Sequence, residues 1–522
     1  MNKSSRPIYI SILLSMLLLG VHVLDGQVNM SARSIGVAGT YMTQSRGVDA
    51  IGWNPANLGY WEAHKPLVVD EAELTAIEQP VPVTPEVEIS VNVDETALQL
   101  DTLVEDLIVA QAAPNVDSVA VEPTEPVVKL QPEPISDEPV IQEPALISAP
   151  AVRVRKALRV PFFSAAGQLD NSVISPAWIS QYLSSGGYLD KEVKEEMLNT
   201  FPETGWSLVP AIRAPFGVAI GNFAFSINLE VNGSVVIPKD MMGMIFNGLR
   251  FDEPVSLDDY RSDVQAVVPI SFAYGKEMTG NATLDKVFKR FFVGGALKYL
   301  YGVSRLRTES FSGSISTHKE LVQFSGSSSA MMALFNGSGF ALDLGAAADV
   351  NDRMSAGLSL HNLLGTIQWT NASTYDATFD LNTKGVDLTD NAQVDSLSDN
   401  FLTEEESSGE TVKTSYPTYL LAGLQYNLAP KMTIYANYRQ YFVEELNFDT
   451  SPIFSVAAEA RPAAWLPLRL GFSFGGFEEF KWGTGFGLNF AGYHLDVGFS
   501  QTRGMFNDAK GVSIAFEQTF FF

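Results

Sequence analysis

The histidines and carboxylates are the side chains that could do chemistry, and their spacing gives little sign of it. Five histidines occur, at His22, His64, His318, His361 and His494. None of them forms an HxH or HExxH metal-binding pattern. On a strand, His494 and Asp496 would share one face and could form an acid–base pair. Serine-nucleophile, phosphate-loop and dinucleotide fingerprints are also missing, so we expect no enzyme activity.

Charge and composition narrow the possible ligands. The chain has 522 residues, 34 basic against 60 acidic side chains, a net charge of −26 and no cysteine. The lack of cysteine excludes disulfides, thiol nucleophiles and cysteine-bound metals. The acidic balance argues against a nucleic-acid partner. The aspartates between Asp387 and Asp399 lack the glycine and closing glutamate of a calcium loop, so we predict neither a metal nor a cofactor.

The N-terminus is typical of an exported protein. Lys3 and Arg6 precede an apolar run from Ile8 to Val23. This pattern predicts a signal peptide over residues 1–26, with an uncleaved anchor as the alternative. No later apolar run is long enough for a membrane-spanning helix. The exported chain is therefore either soluble or a β-barrel.

An acidic, proline-rich stretch follows. Residues 61–150 contain 19 acidic residues, two lysines, 12 of the 27 prolines and no glycine, which gives a local charge of −17. Proline removes backbone donors and like charges repel, so we predict a disordered, extended linker over residues 61–155. It is either a spacer that reaches a partner or a tolerated insertion.

Alternating apolar and polar residues dominate the rest of the chain. We expect residues 156–207 to be partly helical, with a helix at 191–199 ended by Pro202. From residue 208 to 522 the apolar residues recur at every second position, which predicts strands. Turn sequences such as Gly221-Asn222 and Val350-Asn351-Asp352 join them into hairpins.

This pattern predicts an all-β, antiparallel transmembrane barrel of about 14 strands, within a range of about 12 to 16. A soluble sandwich would alternate too, because alternation does not reveal which face is outside. The export signal and the polar stretch from Asn371 to Ser415, which we predict as an extracellular loop, favour a barrel in the outer membrane of a Gram-negative-type bacterium. If the apolar face meets lipid, the lumen-lining candidates are Thr433, Asn437, Arg439, Arg469, Asn489, His494 and Asp496.

Several segments carry a resemblance to known barrels. Residues 32–41 and 47–58, which include Asn54-Pro55-Ala56, resemble the N-terminal segment of the FadL family and its PorV-like relatives. Residues 221–226 and 238–240 resemble an uncharacterised branch of the same superfamily. The terminal strand, which ends on Phe522, resembles the signal recognised by the barrel-assembly machinery.

The resemblance implies a hatch within residues 27–60 that plugs the lumen. The implied hatch residues are Gly36, Gly39, Gly47, Asp49, Asn54, Pro55 and Ala56. Whether the hatch gates the barrel or only caps it stays open.

Two functions follow from this resemblance. A FadL-like barrel would take up hydrophobic small molecules past the hatch. A PorV-like barrel would instead be a structural or interaction protein, with residues 61–150 binding a periplasmic or surface protein. The expected partners are therefore outer-membrane lipid, a hydrophobic ligand and a protein bound by the linker. The polar interior predicted above is a difficulty for the first function, because a path for apolar ligands needs apolar surface.

Overall fold

The computed structural model describes residues 30–60, 158–184, 189–318, 321–383, 402–444, 446, 448, 450–490 and 492–522. The predicted signal peptide and the predicted acidic linker lie outside these residues. Among the described residues, no helix is both long enough and apolar enough to cross a membrane.

Residues 30–60, here called the N-terminal segment, form three short helices. These are α1 (Ala32–Gly36), α2 (Asp49–Trp53) and a 3-10 helix (Pro55–Gly59). Ser31 caps α1, because its hydroxyl accepts a hydrogen bond from the Ser34 amide at 3.2 Å. The Asn54 side chain caps the 3-10 helix in the same way, accepting from the Ala56 amide at 3.1 Å. Polar caps of this kind satisfy amides that have no partner within the helix.

Sixteen strands follow in the described chain. They are β1 (Leu158–Asn171), β2 (Trp206–Ile220), β3 (Phe223–Ile237), β4 (Val255–Ser256), β5 (Arg261–Glu277), β6 (Arg290–His318), β7 (Leu321–Asp349), β8 (Met354–Thr383), β9 (Leu402–Ser415), β10 (Tyr419–Ala429), β11 (Met432–Tyr441), β12 (Ile453–Ala463), β13 (Leu466–Gly475), β14 (Phe480–Phe490), β15 (Tyr493–Thr502) and β16 (Gly511–Phe521).

Fourteen of these strands close an antiparallel barrel. Strands β10 to β16 pair in chain order, β16 pairs with β1, and the sheet continues through β2, β3, β5, β6 and β7 to β8. Pairing of β8 with β10 closes the ring. Strands β4 and β9 join the sheet only through β6 and β8. The predicted all-β barrel and its strand number are confirmed.

The apolar residues of the barrel face outward. On β12, Phe454 and Val456 are 56% and 50% exposed, whereas Ser455 and Glu459 are each 5% exposed. A soluble sandwich would bury the apolar face, but a membrane barrel turns it to lipid and keeps a polar interior. Closure also pairs the strand edges, as the water-free bilayer core requires. The chain is an outer-membrane β-barrel.

The two ends of the barrel differ in their connections. Short turns such as Gly221-Asn222 and Pro430-Lys431 lie at one end, together with α6 (Leu284–Val287). The other end carries α3 (Pro176–Tyr182), α4 (Lys191–Asn199) and α5 (Lys239–Asn247). The helix expected at 191–199 is α4. In outer-membrane barrels short turns are periplasmic and long connections are extracellular, which orients the molecule.

Two boundaries differ from the sequence-based expectation. The barrel begins at β1, not at residue 208, because Leu158–Asn171 fills the gap between β16 and β2. The stretch from Asn371 to Ser415 was expected to be a loop, yet β8 continues to Thr383 and β9 occupies Leu402–Ser415. These stretches can be strands although their side chains are polar. They extend beyond the closed barrel, where both faces of each strand contact water.

Candidate functional site

The N-terminal segment lies inside the barrel. Its helices contact the inward faces of β5 to β7 on one side of the wall and of β13 to β16 on another. Most of its residues are buried, including Ile35 and Ala56 at 1% and 0% exposure. The lumen is therefore occupied by the part of the chain in which the sequence suggested a hatch.

Glycines on the inner wall make room for this segment. We call them the glycine seat: Gly275, Gly294, Gly345, Gly357, Gly471, Gly483 and Gly498. A methyl group on Gly294 would overlap Pro55 and Ala56, and one on Gly471 would overlap Val37. Because these glycines come from β5 to β8 and β13 to β15, the segment rests on two parts of the wall. Sequence patterns did not single out these glycines as contacts of the segment.

The Asn54-Pro55-Ala56 element is bound tightly to β7. The Asn54 amide donates a 2.9 Å hydrogen bond to the carbonyl oxygen of Ala346, while its own carbonyl oxygen caps the next helix. Pro55 occupies the first helical position, where a missing N–H costs nothing. Asn54 and Pro55 thus each have a local structural reason.

A polar cluster, here called the carbonyl clamp, holds the carbonyl oxygen of Trp53. Ser359 Oγ donates to this oxygen at 2.9 Å, and His361 Nε2 lies 3.0 Å from it. His361 Nδ1 lies 3.0 Å from Asp343 Oδ2, which in turn lies 2.7 Å from Lys298 Nζ. The sequence analysis noted His361 only as an isolated histidine.

The carbonyl clamp has the hydrogen-bond order of a serine-hydrolase triad, with Ser359 2.9 Å from His361 Nε2. The serine, however, donates to the Trp53 carbonyl, and Ser359, His361 and Asp343 are at most 2% exposed beneath the segment. Their geometry therefore fits anchoring of the N-terminal segment. Within the described residues, no group of three or more histidine, aspartate or glutamate side chains could hold a metal ion.

A chain of charges anchors α1 on the other side. Arg33 Nε donates to Asp496 Oδ2 at 2.8 Å, and Arg469 Nη1 donates to Asp496 Oδ1 at 2.6 Å. Arg469 Nε also donates to Glu459 at 2.8 Å. His494 Nδ1 lies 3.4 Å from Arg33 Nη2. Because two arginines occupy the Asp496 carboxylate, the structure does not form the acid–base pair considered for His494 and Asp496.

The other lumen-lining candidates also lie on the inward-facing side of their strands. Asn437, Arg439, Arg469 and Asp496 are buried, and Thr433, Asn489 and His494 are half-buried. The Arg439 guanidinium lies 5.1 Å from the centre of the Trp53 ring. Several candidates thus contact the N-terminal segment.

Of the implied hatch residues, Gly39 and Gly47 adopt φ angles of +82° and +64°, which favour glycine. Gly36 packs against Gly485 of β14. The Asp49 carboxylate accepts a 3.0 Å hydrogen bond from the Tyr41 hydroxyl. Burial raises the pKa of Asp49 above its ordinary value, against the lowering effects of Arg33 and Arg213. Burial likewise lowers the pKa of Arg46.

Aromatic side chains lead from the N-terminal segment toward the extracellular end. We call Trp53, Tyr419, Tyr441 and Phe448 the aromatic ladder, because they belong to one buried apolar cluster that also contains Met42. Ring centres are 5.2 Å apart between Tyr419 and Tyr441 and 4.9 Å apart between Tyr441 and Phe448. The Tyr419 hydroxyl donates to the Gly52 carbonyl oxygen at 3.1 Å.

The ladder ends in a cavity of about 700 Å³ at the extracellular end, here called the vestibule. Phe448, Leu446 and Phe477 give it apolar walls, and Arg307 and Arg503 give it charged ones. Phe448 belongs to both the vestibule and the ladder. The interior thus contains a buried apolar cluster that reaches from Trp53 to the vestibule, and alternation along the strands did not predict it.

Comparison with solved structures finds other barrels. The chain is similar to the toluene transporter TbuX of Ralstonia pickettii, at 10% identity over 70% of this chain and 90% of that chain, with a TM-score of 0.39. It is similar to the toluene transporter TodX of P. putida, at 9% identity over 71% and 91%, with a TM-score of 0.40. A FadL homologue of Pseudomonas aeruginosa matches at 10% identity over 70% and 89%, with a TM-score of 0.38.

No curated protein matches the chain. A family model does match, over residues 211–499, and its description reads family of unknown function (DUF5723). The matched range runs from β2 into β15 and covers more than half of the 522 residues. The chain therefore belongs to this family of unknown function.

Proposed function

We propose that this barrel takes up small hydrophobic molecules across the outer membrane, and that the N-terminal segment is the hatch that controls their passage. The observation that carries the proposal is the aromatic ladder, which joins the extracellular vestibule to Trp53 of the segment. Sites for small molecules are concave and combine apolar walls with polar groups. The vestibule is concave, and Leu446, Phe448 and Phe477 form the apolar part of a wall that also carries charged side chains.

In this mechanism a ligand enters the vestibule from outside and contacts Phe448 and Phe477. It then follows Tyr441 and Tyr419 toward the segment. Arg469 and Glu459 form an ion pair with each other, whereas the Arg439 guanidinium lies over the Trp53 and Tyr419 rings of the ladder. The aromatic rings of the ladder therefore offer an apolar ligand contacts within an otherwise polar interior.

Passage beyond the ladder requires the N-terminal segment to shift. The positive φ angles at Gly39 and Gly47 mark bends between α1 and α2, and the Asn54-Pro55-Ala56 element anchors the part that follows. In the proposal these are the hatch residues, together with Gly36 and Asp49. A capping role without gating would leave the segment fixed during transport.

A reversible crosslink tests the hatch. A β-carbon placed on Gly423 would lie 3.2 Å from Cβ of Met42, close to the spacing of a disulfide. Since the chain has no cysteine, a Met42→Cys/Gly423→Cys variant would form a single defined bridge. Uptake of the apolar dye phenylnaphthylamine into proteoliposomes should fall at least tenfold in the oxidised variant and return on reduction.

The single Met42→Cys variant serves as the control and should transport in both redox states. Equal uptake by the oxidised and reduced double variant would reject gating by this segment.

A second variant tests the ladder itself. Phe448→Ala removes the ring shared by the vestibule and the ladder, so we expect several-fold slower uptake. Phe442→Ala is the matched control, because Phe442 is 53% exposed on the barrel surface. Equal uptake by both variants would argue that ligands use another route.

The alternative role, an interaction barrel that binds a protein through residues 61–150, stays a prediction from composition.

A further inference from the structure

Strand β9 is the edge of the sheet, and it stands outside the membrane. It pairs with β8 from Ser415, opposite Thr366, to Leu402, opposite Phe379. It pairs with no other strand of the described chain. The barrel closes nearer its periplasmic end, where Met354–His361 of β8 pairs with β10. At about 3.3 Å per residue, Phe379 lies roughly 60 Å along β8 from His361, well beyond an apolar band of about 25 Å.

The outer half of β9 is open to solvent on both faces. Residues 403–411 are all exposed. Every second residue of an edge strand directs its backbone N–H and C=O away from its one neighbour, which makes a template for another strand. Proteins usually guard such edges with charged side chains, especially lysine, with proline, with a bulge or with a very short strand. Strand β9 has 14 residues and no proline, and its guards are its charged side chains and the register shifts opposite Ala372.

The side chains of β9 carry unbalanced negative charge. The strand contains Glu404, Glu405, Glu406 and Glu410, against Lys413 as its one basic residue. Glu405 lies directly opposite Asp376 of β8. Like charges opposite each other on a sheet are destabilising. A cationic neighbour would relieve this repulsion, and its alternate side chains would meet one carboxylate face of the strand.

We propose that β9 binds an extended, lysine- or arginine-rich segment of another protein by strand addition on the outside of the cell. Backbone hydrogen bonds to the free edge would supply affinity, and the glutamates would select a basic sequence and fix its register. This surface is separate from the vestibule, so the proposal does not depend on the uptake function.

Charge and topology argue against three other occupants. Pairing two copies through β9 would place one run of glutamates against the other. Lipid phosphates carry the same sign as the glutamates. The chain's own basic run, from Arg153 to Arg159, leads into β1, and Arg159 pairs with Phe521 at the opposite, periplasmic end. A basic segment of a different extracellular molecule remains.

The test uses the full-length protein in detergent micelles. The probe is a fluorescent peptide of alternating lysine and valine, compared with the same peptide carrying N-methyl groups on alternate amides. N-methylation keeps the charge but blocks strand addition. We expect the unmodified peptide to bind, the N-methylated peptide to bind at least tenfold more weakly, and a glutamate–valine peptide not to bind.

A charge-matched pair of variants locates the site. Glu404→Gln/Glu405→Gln/Glu406→Gln should weaken binding of the lysine–valine peptide at least tenfold. Glu192→Gln/Glu195→Gln/Glu253→Gln removes the same charge from the same end of the molecule and should leave binding unchanged.

Three outcomes would overturn the proposal: no binding of the lysine–valine peptide, equal binding of its N-methylated form, or equal weakening by both triple variants. Each of these results would leave the uptake measurements untouched.

Discussion

At the scale of single residues, the glycine seat decides where the N-terminal segment can lie. Gly294 and Gly295 are neighbours on β6, but only Gly294 faces the segment. A methyl group on Gly294 would overlap Pro55 and Ala56, whereas one on Gly295 would meet nothing closer than 3.4 Å. Glycine is therefore required at position 294, whereas position 295 has room for a larger residue.

We predict that Gly294→Ala displaces the segment and costs about 1–3 kcal/mol, as overpacking a filled interior does. Gly295→Ala should be neutral or slightly stabilising, because alanine loses less backbone entropy in a strand than glycine. Thermal unfolding in detergent and protease sensitivity of residues 30–60 would measure both. Equal behaviour of the two variants would contradict the seat.

The carbonyl clamp contains a buried ion pair whose loss should be severe. Asp343→Asn leaves Lys298 charged and unpaired at 5% exposure, so we expect a loss of about 3–5 kcal/mol. Asp352→Asn breaks an exposed pair with Lys289 and should cost less than about 1 kcal/mol. Unfolding midpoints in urea compare the two.

The double variant Asp343→Asn/Lys298→Met should recover part of the loss, because no unpaired charge remains buried. A double variant that is less stable than Asp343→Asn alone would refute this explanation.

Residues of the clamp could not be found from sequence. Trp53 lies about three hundred positions from Ser359 and His361, and only barrel closure brings them together. The clamp's Asp343 lies on the neighbouring strand, so no local spacing reveals it. By contrast, the inward orientation of Arg469 follows from alternation within β13, and that of Asp496 from alternation within β15.

At the scale of elements, sequence patterns predicted those helices and turns whose formation depends on neighbouring residues alone. The hairpin at Gly221-Asn222 and helix α4 appear where turn chemistry and helix-forming residues placed them. Strand β1 was missed because Pro161 and a run of small residues weaken its alternation. Strand β9 was missed because its polar residues imitate a loop, and only pairing with β8 makes it a strand.

Helix α4 offers an element-scale prediction. The Asp190 carboxylate caps it by accepting from the Val193 amide at 2.9 Å. Asp190→Ala should destabilise α4 by about 1 kcal/mol and raise hydrogen exchange there without changing exchange in the barrel. Asp240→Ala in the first turn of α5 is the control, because no side-chain cap bond forms at that helix. Raised exchange throughout β2 would show instead that the helix supports the barrel.

At the scale of the whole molecule, both attachment points of residues 61–157 lie at the periplasmic end. Tyr60 donates a 2.8 Å hydrogen bond to Asp349, beside the β7–β8 turn. Leu158 pairs with Ile220, beside the β2–β3 turn.

We therefore predict that an epitope inserted near residue 105 is accessible to antibody only after the outer membrane has been permeabilised. The same epitope between His318 and Leu321, in the β6–β7 turn, should react on intact cells. Labelling of the first site on intact cells would place the acidic stretch outside and exclude a periplasmic partner for it.

The glycine seat also has a consequence for biogenesis. Its members come from strands as far apart in the chain as β5 and β15, so the complete seat exists only when the ring is nearly closed. Contacts such as that between Arg33 and Asp496 join residues 463 positions apart, and such distant contacts form late in folding. We therefore expect the wall to assemble before the N-terminal segment is fixed inside it, with an intermediate stage in which the lumen is open.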